Sequence, residues 1–336
     1  MDESDHTDEW VQQGLNASET DVVRLLDKIR ASRNDLESRC KLIGHLCNRW
    51  DKNSRARLSR HVMHLILHHP NSKLAGSPFC RLHQGIDPGY RKCRDIWNGH
   101  VAKRNASAAI LFNASRFLAI HDSEFSIKLL QRLVRREPDS AQWHISLGNA
   151  YLLRVSEAKK SGKSLARRAL KHFEIAYKLA VGADDKFYLL DDLTKAAFQC
   201  GSLAKAAGYA TELLTAARKQ RANWNYGNAI HHGNTYLGRI ALLDGKLKNA
   251  LLHLRASLKH KGSPQLNSFG PPMELAQEIL AAGSTDAVLD YLKGCKAFWK
   301  HDCGALDLWR DEIRRTGFCT FNLAEVMGNV HLGNAK

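Results

Sequence analysis

The sequence predicts an all-α protein built from repeated helical hairpins, and three observations support this prediction. Apolar residues recur at the spacing of a helix face through most of the 336 residues. The pattern Leu147-Gly148-x2-Tyr151 is followed by Ala169-x3-Phe173-x2-Ala176. Small residues recur at matching places further along the chain, where the two helices of a hairpin must cross closely, while a larger residue such as Leu254 fills the space opposite.

These marker residues resemble the tetratricopeptide repeat (TPR), which has Leu-Gly-x2-Tyr on its first helix and Ala-x3-Phe on its second. Aligned on the markers, the chain contains four units. The first spans residues 107–140, the second starts at residue 141, and the third and fourth span 187–220 and 231–264. The runs 225–242 and 262–276 also resemble a block of uncharacterised bacterial TPR proteins, within a resemblance that covers roughly residues 55–315. The resemblance implies a right-handed TPR-like α-solenoid whose concave face binds another protein.

Charge and periodicity divide the chain into five segments. Residues 1–18 are acidic and polar without helical periodicity, which predicts a disordered tail. We expect a helical segment at 19–104, four repeats at 105–264, capping helices at 265–320 and a tail at 321–336. Two stretches interrupt the repeat spacing, the basic insert Ser156–Ser164 and the added residues Arg221–Ile230.

The composition indicates a cytoplasmic protein without a membrane span. No apolar run approaches the roughly 18 residues that a spanning helix needs, and the start, MDESDHTDEW, is acidic where a signal peptide would be basic and then apolar. The 8 cysteines are widely spaced without a Cys-x2-Cys pair, so we expect free thiols.

The formal net charge of +16 favours anionic partners, nucleic acid among them. The basic residues concentrate in two zones, 30–60 and 154–171. They are dispersed within each zone, which is typical of solvated helix faces. Nucleic acid therefore stays a possible partner beside a protein or peptide.

A polar cluster occupies residues 223–236, at the entry of the fourth repeat. Asparagine and histidine are poor helix formers, because their side chains compete for backbone hydrogen bonds. We therefore interpret the stretch as irregular, with side chains that make specific contacts. The residues assigned to this cluster are Trp224, Asn225, Tyr226, Asn228, His231 and Asn234.

The TPR resemblance also implies which side chains line the concave groove. They come from the first helix of the second, third and fourth units, and the candidates for partner binding are Asn149, Lys195, His232, Tyr236 and Arg239. An asparagine can bind the backbone of an extended peptide, and the cations can pair with its carboxylates.

We expect no metal site, no cofactor and no catalytic residue. His61, His64 and His68 lie at spacings of three and four on one helix, and two histidines at i and i+4 can bind zinc, but no acidic residue is interleaved and neighbouring arginines would repel a cation. The sequence around His231 and His232 contains no nucleophile or acid partner at a spacing that would indicate a catalytic site.

The predicted function is a cytoplasmic adaptor or scaffold that binds a peptide or helix of a partner protein. Two alternatives remain open. The charge favours a nucleic-acid-associated regulatory repeat protein, and the polar cluster allows an α-helical enzyme centred on His231 and His232.

Overall fold

A computed structural model describes residues 6–155 and 161–326, and all regular structure within these ranges is helical. The predicted all-α fold of helical hairpins is thereby confirmed. The chain divides into two units, Met1–Ala150 and Tyr151–Lys336. Most of the basic insert Ser156–Ser164 lies outside the described residues, as do residues 1–5 and 327–336 of the expected tails.

Three successive helices of the first unit start at side-chain caps. Ser18 accepts a hydrogen bond from the Asp21 amide and Asp21 accepts one from the Ser18 amide, a reciprocal arrangement that opens a helix. Asp35 and Asp51 cap the next two helices in the same manner as Ser18. The helices of this unit are α1 (Thr7–Leu15), α2 (Glu19–Ala31), α3 (Leu36–Leu46), α4 (Lys52–His68), α5 (Tyr90–Ala102), α6 (Ala108–Leu118), α7 (Ser123–Arg136) and the start of α8 (Ala141–Val155).

The expectation of a disordered tail over residues 1–18 is wrong for residues 7–15, which form α1. This helix packs on α3, and Val11 is completely buried. A β-carbon on Gly14 would overlap the Lys41 carbonyl, and one on Gly44 would overlap the Val11 carbonyl, so the two helices cross where both lack side chains. Two turns of helix are too short to show a clear apolar period, which is why the sequence pattern missed α1.

The second unit is a succession of hairpins. Each of α9 to α12 packs on the next helix, and α10 also packs on α12, because the short connections make neighbours antiparallel. The helices of this unit are α9 (Gly162–Leu179), α10 (Ala183–Gln199), α11 (Leu203–Lys219), α12 (Tyr226–Leu243), α13 (Leu247–Ala256), α14 (Pro264–Phe269), α15 (Glu274–Ala281), α16 (Thr285–Cys295) and α17 (Ala305–Thr316).

The repeat markers of the second unit are packing residues. Ala169, Phe173 and Ala176 are fully buried, as are Ala206 and Leu213 at the corresponding places of the next hairpin. From α12 to α17 a continuous core includes Leu254, Leu275, Val288, Trp299 and Trp309. Each helix that the structure describes is too short or too polar to cross a bilayer.

A buried ion pair fixes the long connection between α4 and α5. Arg55 of α4 donates from Nε to Oδ1 of Asp87 at 2.7 Å and from Nη2 to Oδ2 at 2.8 Å. Asp87 also accepts from the His83 amide at 2.6 Å, and the side chains of the pair are at most 3% exposed. A bidentate geometry with a further donor offsets the cost of removing both charges from water.

We expect Asp87→Asn to lower the free energy of unfolding by about 3–5 kcal/mol, because it leaves the Arg55 guanidinium buried without a counter-charge. Urea denaturation followed by circular dichroism measures the change. The matched control is Asp27→Asn, which removes an exposed pair with Arg30 and should cost about 0–1 kcal/mol. Equal effects of the two substitutions would contradict the structural role of the buried pair.

Candidate functional site

The polar cluster at 223–236 is helical from Tyr226 onward, so its interpretation as an irregular stretch is wrong. Residues 226–243 form α12, one of the longest helices of the second unit. The side chain of Asn223 accepts a hydrogen bond from the Asn225 amide at 2.9 Å, which shapes the turn before the helix. Tertiary packing overrides the low helix propensity of asparagine and histidine here.

Three polar residues of α12 share one buried face, spaced three residues apart. Asn228 donates to Asn225 Oδ1 at 2.8 Å and to Gln265 Oε1 at 3.1 Å, and it accepts from the Ser263 hydroxyl at 2.6 Å. Asn234 donates to the Ile230 carbonyl at 2.8 Å, and its Oδ1 lies 3.0 Å from His253 Nδ1. These side chains bind other parts of the same chain.

His231 completes this buried face. It is fully buried, and its Nε2 is hydrogen-bonded to the Tyr291 hydroxyl at 2.9 Å. Burial lowers the pKa of His231 well below its ordinary 6.5, and the nearby His232 and His260 add to this effect. An imidazole closed off from solvent does not reach an external substrate, so the structure offers it no role as a general base.

α12 also lines a small pocket, the groove pocket, that brings together four of the five predicted groove residues. Lys195 of α10 and His232, Tyr236 and Arg239 of α12 surround a cavity of about 150 Å³, together with Asp191 and Glu274. The fifth residue, Asn149, is exposed and belongs to the first unit.

The charges of this groove pocket largely neutralise each other. His232 Nδ1 lies 2.8 Å from the Asp191 carboxylate, and Arg239 lies 2.7 Å from Glu278. Burial alone would lower the pKa of His232, but the Asp191 carboxylate outweighs burial and raises it above 6.5. Burial and the charge of Asp191 raise the pKa of Asp192 to about 7.

A larger and more basic cavity lies at the start of α12. It has a volume of about 750 Å³, and three exposed cations line it, Arg221, Lys259 and Lys261. Trp224, Tyr226 and His260 are also part of the wall, and no carboxylate lines it among the described residues. We call this site the basic cavity. In the described part of the chain its three cations form no ion pair.

Close backbone packing builds the basic cavity. The chain after α13 returns to the start of α12, and a β-carbon on Gly227 would overlap the Gly262 carbonyl, so the two backbones touch. Ser263 caps α14 by accepting from the Leu266 amide at 3.0 Å while its hydroxyl bonds Asn228. The buried face of α12 thereby holds segment 259–264, with its two lysines, beside Arg221.

The structure thus separates the predicted polar cluster into two sets. Asn225, Asn228, His231 and Asn234 are buried and structural, whereas Trp224 and Tyr226 face the basic cavity. Sequence reasoning missed Arg221, Lys259 and Lys261, although a basic pair flanking His260 was visible as a local signal.

The three histidines of α4 do not form a metal site. His61 is buried and His68 is exposed. Burial and then the charge of Arg39 lower the pKa of His61 to about 3 and that of His64 to about 4. No group of three or more His, Cys, Asp or Glu side chains is placed to hold a metal ion in residues 6–155 and 161–326.

Comparison with known proteins gives distant likenesses only. No family model and no curated protein matches the chain. Among solved structures, the chain is similar to the human IFIT1 dimer with PPP-AAAA, at 15% identity and a TM-score of 0.44, covering 82% of this chain and 68% of that one. It is also similar to the human IFIT1 dimer with m7Gppp-AAAA, at 14% identity and a TM-score of 0.41, covering 82% and 76%. These TM-scores are too low to indicate what this chain binds.

Because His231 is neutral in the folded state and gains a proton on unfolding in acid, it makes stability depend on pH. Above its ordinary pKa of 6.5 both states are neutral, and as pH falls below 6.5 the unfolded state binds a proton that the folded state does not. We expect this residue to account for a loss of about 2 kcal/mol between pH 7 and pH 5.

Urea denaturation at several pH values tests this expectation. His231→Gln should reduce the loss between pH 7 and pH 5 by about 2 kcal/mol. His301→Gln, a substitution at an exposed histidine, should leave the pH dependence as in the original chain. An unchanged pH dependence in His231→Gln would contradict the assignment.

Proposed function

We propose that this protein binds nucleic acid and that the basic cavity is the contact site. The observation that carries the proposal is the charge pattern of the cavity. Arg221, Lys259 and Lys261 converge on one concave surface, they form no ion pair in the described ranges, and no carboxylate opposes them there. Unpaired cations around a recess can bind the phosphates of a nucleic acid. The counterions condensed on those phosphates are then released, which stabilises the complex.

The charge of the whole chain acts in the same direction. A net charge of +16 attracts a polyanion from a distance and raises its local concentration near the protein. The cavity then supplies the short-range contacts that a diffuse positive surface lacks.

The groove pocket supports the expected adaptor function less well. Two of its three cations, His232 and Arg239, are already paired with Asp191 and Glu278. An acidic peptide would have to displace these carboxylates, which costs part of the interaction that it forms.

Binding of a protein partner remains a second candidate function, because the first unit contains a more apolar cavity of about 500 Å³. Phe112 and Trp143 form its aromatic wall, with ring centroids 5.1 Å apart, and the exposed cations Lys73 and Arg116 lie at its rim. A protein captured by the full chain after nuclease treatment, and lost with Phe112→Ala, would support this candidate.

We further propose that the hairpins of the second unit are tetratricopeptide-like. The support is the burial of small and large markers in alternation, Ala169 with Phe173 in one hairpin and Ala250 with Leu254 in another. In such hairpins the buried marker residues maintain the packing, whereas the exposed residues can differ between repeats. A basic cavity can therefore form through substitutions of exposed residues alone.

The expected result of removing the cations is weaker and less salt-dependent binding. A plot of log affinity against log salt concentration has a negative slope, and each phosphate contact with a single strand contributes about 0.7 to its magnitude. We therefore expect the triple variant Arg221→Gln, Lys259→Gln, Lys261→Gln to reduce the magnitude of this slope by about 2. Fluorescence anisotropy of a labelled oligonucleotide over a salt series measures the slope.

A control with the same loss of charge separates local contacts from net charge. Lys171→Gln, Lys248→Gln, Lys293→Gln removes three exposed lysines of the second unit that lie outside the cavity. If the two triple variants bound equally well, the cavity would not be the contact site. If the original chain bound no oligonucleotide at low salt, the proposed function would be wrong.

A further inference from the structure

The basic cavity contains an exposed aromatic ring in addition to its cations. Trp224 is 53% exposed, although tryptophan is usually well buried. Its ring stacks on Tyr188 of α10 with the ring centroids 5.7 Å apart and an angle of 20° between the ring planes. Because Tyr188 stacks on one face of the indole and Trp224 is still about half exposed at the cavity wall, the ring has surface left for a ligand.

Hydrogen bonds hold this pair of rings in place. Asn223 donates to the Tyr188 hydroxyl at 3.0 Å and to Gln220 Oε1 at 3.1 Å, and its own Oδ1 accepts from the Asn225 amide at 2.9 Å. The turn before α12 is thus tied to α10, and the stacked rings are organised before any ligand arrives. A platform of this kind loses little conformational entropy on binding.

We propose that Trp224 stacks on an unpaired nucleobase while Arg221, Lys259 and Lys261 neutralise the neighbouring phosphates, so that the cavity selects single-stranded over duplex nucleic acid. The inference rests on the proposed nucleic-acid binding at this cavity. Every base has a π-face that an aromatic ring can stack on, whereas in a duplex these faces are already stacked inside the helix. Cations alone would bind both forms through their phosphates.

The size and lining of the cavity agree with this ligand. A volume of about 750 Å³ falls within the roughly 300–1,000 Å³ range of small-ligand pockets, enough for a nucleotide. An acidic peptide would find the same cations but would leave the indole face unused. The exposed ring beside the cations is therefore explained by a base and not by charge alone.

The test compares three ligands of equal length on the full chain by fluorescence anisotropy at one salt concentration. They are a labelled single-stranded oligonucleotide, the same strand annealed to its complement, and a strand with abasic sites in place of its bases. We expect the single strand to bind at least about 5-fold more tightly than the other two, because only it offers a base for stacking.

Substitutions then assign the preference to Trp224. Trp224→Ala should weaken single-strand binding by about 5- to 150-fold, the range for the loss of one base stack, while Trp224→Phe should keep most of it. The salt slope should stay the same in both variants, because the cations remain. Phe269→Ala, which removes a ring that is 76% exposed and outside the cavity, is the matched control and should have no effect.

The possible results separate the two proposals. If the duplex and the abasic strand bind as tightly as the single strand, and Trp224→Ala binds normally while the triple cation variant does not, the cavity binds nucleic acid without base stacking and the inference is wrong. If an acidic peptide displaces the single strand as well as unlabelled oligonucleotide does, the inference is also wrong. Failure of every oligonucleotide to bind would overturn the proposed function itself.

Discussion

The buried polar face of α12 is the constraint on which the second unit depends. Asn228, His231 and Asn234 lie where a helical hairpin would ordinarily place apolar residues, and a buried amide or imidazole without a partner costs about 1–3 kcal/mol. The chain avoids this cost only if Ser263, Gln265, His253 and Tyr291 come to them. The hydrogen bonds therefore specify how the segments after α12 lie on it, more strictly than apolar contacts alone would.

Both candidate surfaces of the second unit follow from this arrangement. Ser263 bonds to Asn228 and so places segment 259–264, with its two lysines, next to Arg221. The same helix carries His232 and Arg239, which pair with Asp191 and Glu278 in the groove pocket. The groove pocket thus has cations paired with carboxylates, whereas the basic cavity has three cations that form no ion pair in the described residues, which supports the proposed phosphate contacts there.

Local sequence patterns predicted the hairpins but only part of the candidate site. Ala169 and Phe173 are neighbours on one helix, so their roles could be inferred from spacing, and burial confirms them. The helical state of α12 could not be inferred from spacing. Its asparagines and histidines form their hydrogen bonds with residues that are distant in the sequence, such as Tyr291, 60 positions from His231. Likewise, Arg221 and Lys259 line one cavity only because the chain after α13 returns to the start of α12. A local sequence pattern cannot predict contacts between residues so far apart in the chain.

The crossing of α1 and α3 limits how the start of the chain can change during evolution. Gly14 and Gly44 each occupy a place where the other helix leaves no room for a β-carbon. A side chain gained at either glycine would push the two backbones apart and open the surface around Val11 to water. A change at one glycine does not make room for a change at the other, because each β-carbon would meet backbone atoms of the facing helix, so both positions require glycine for α1 to stay packed on the first unit.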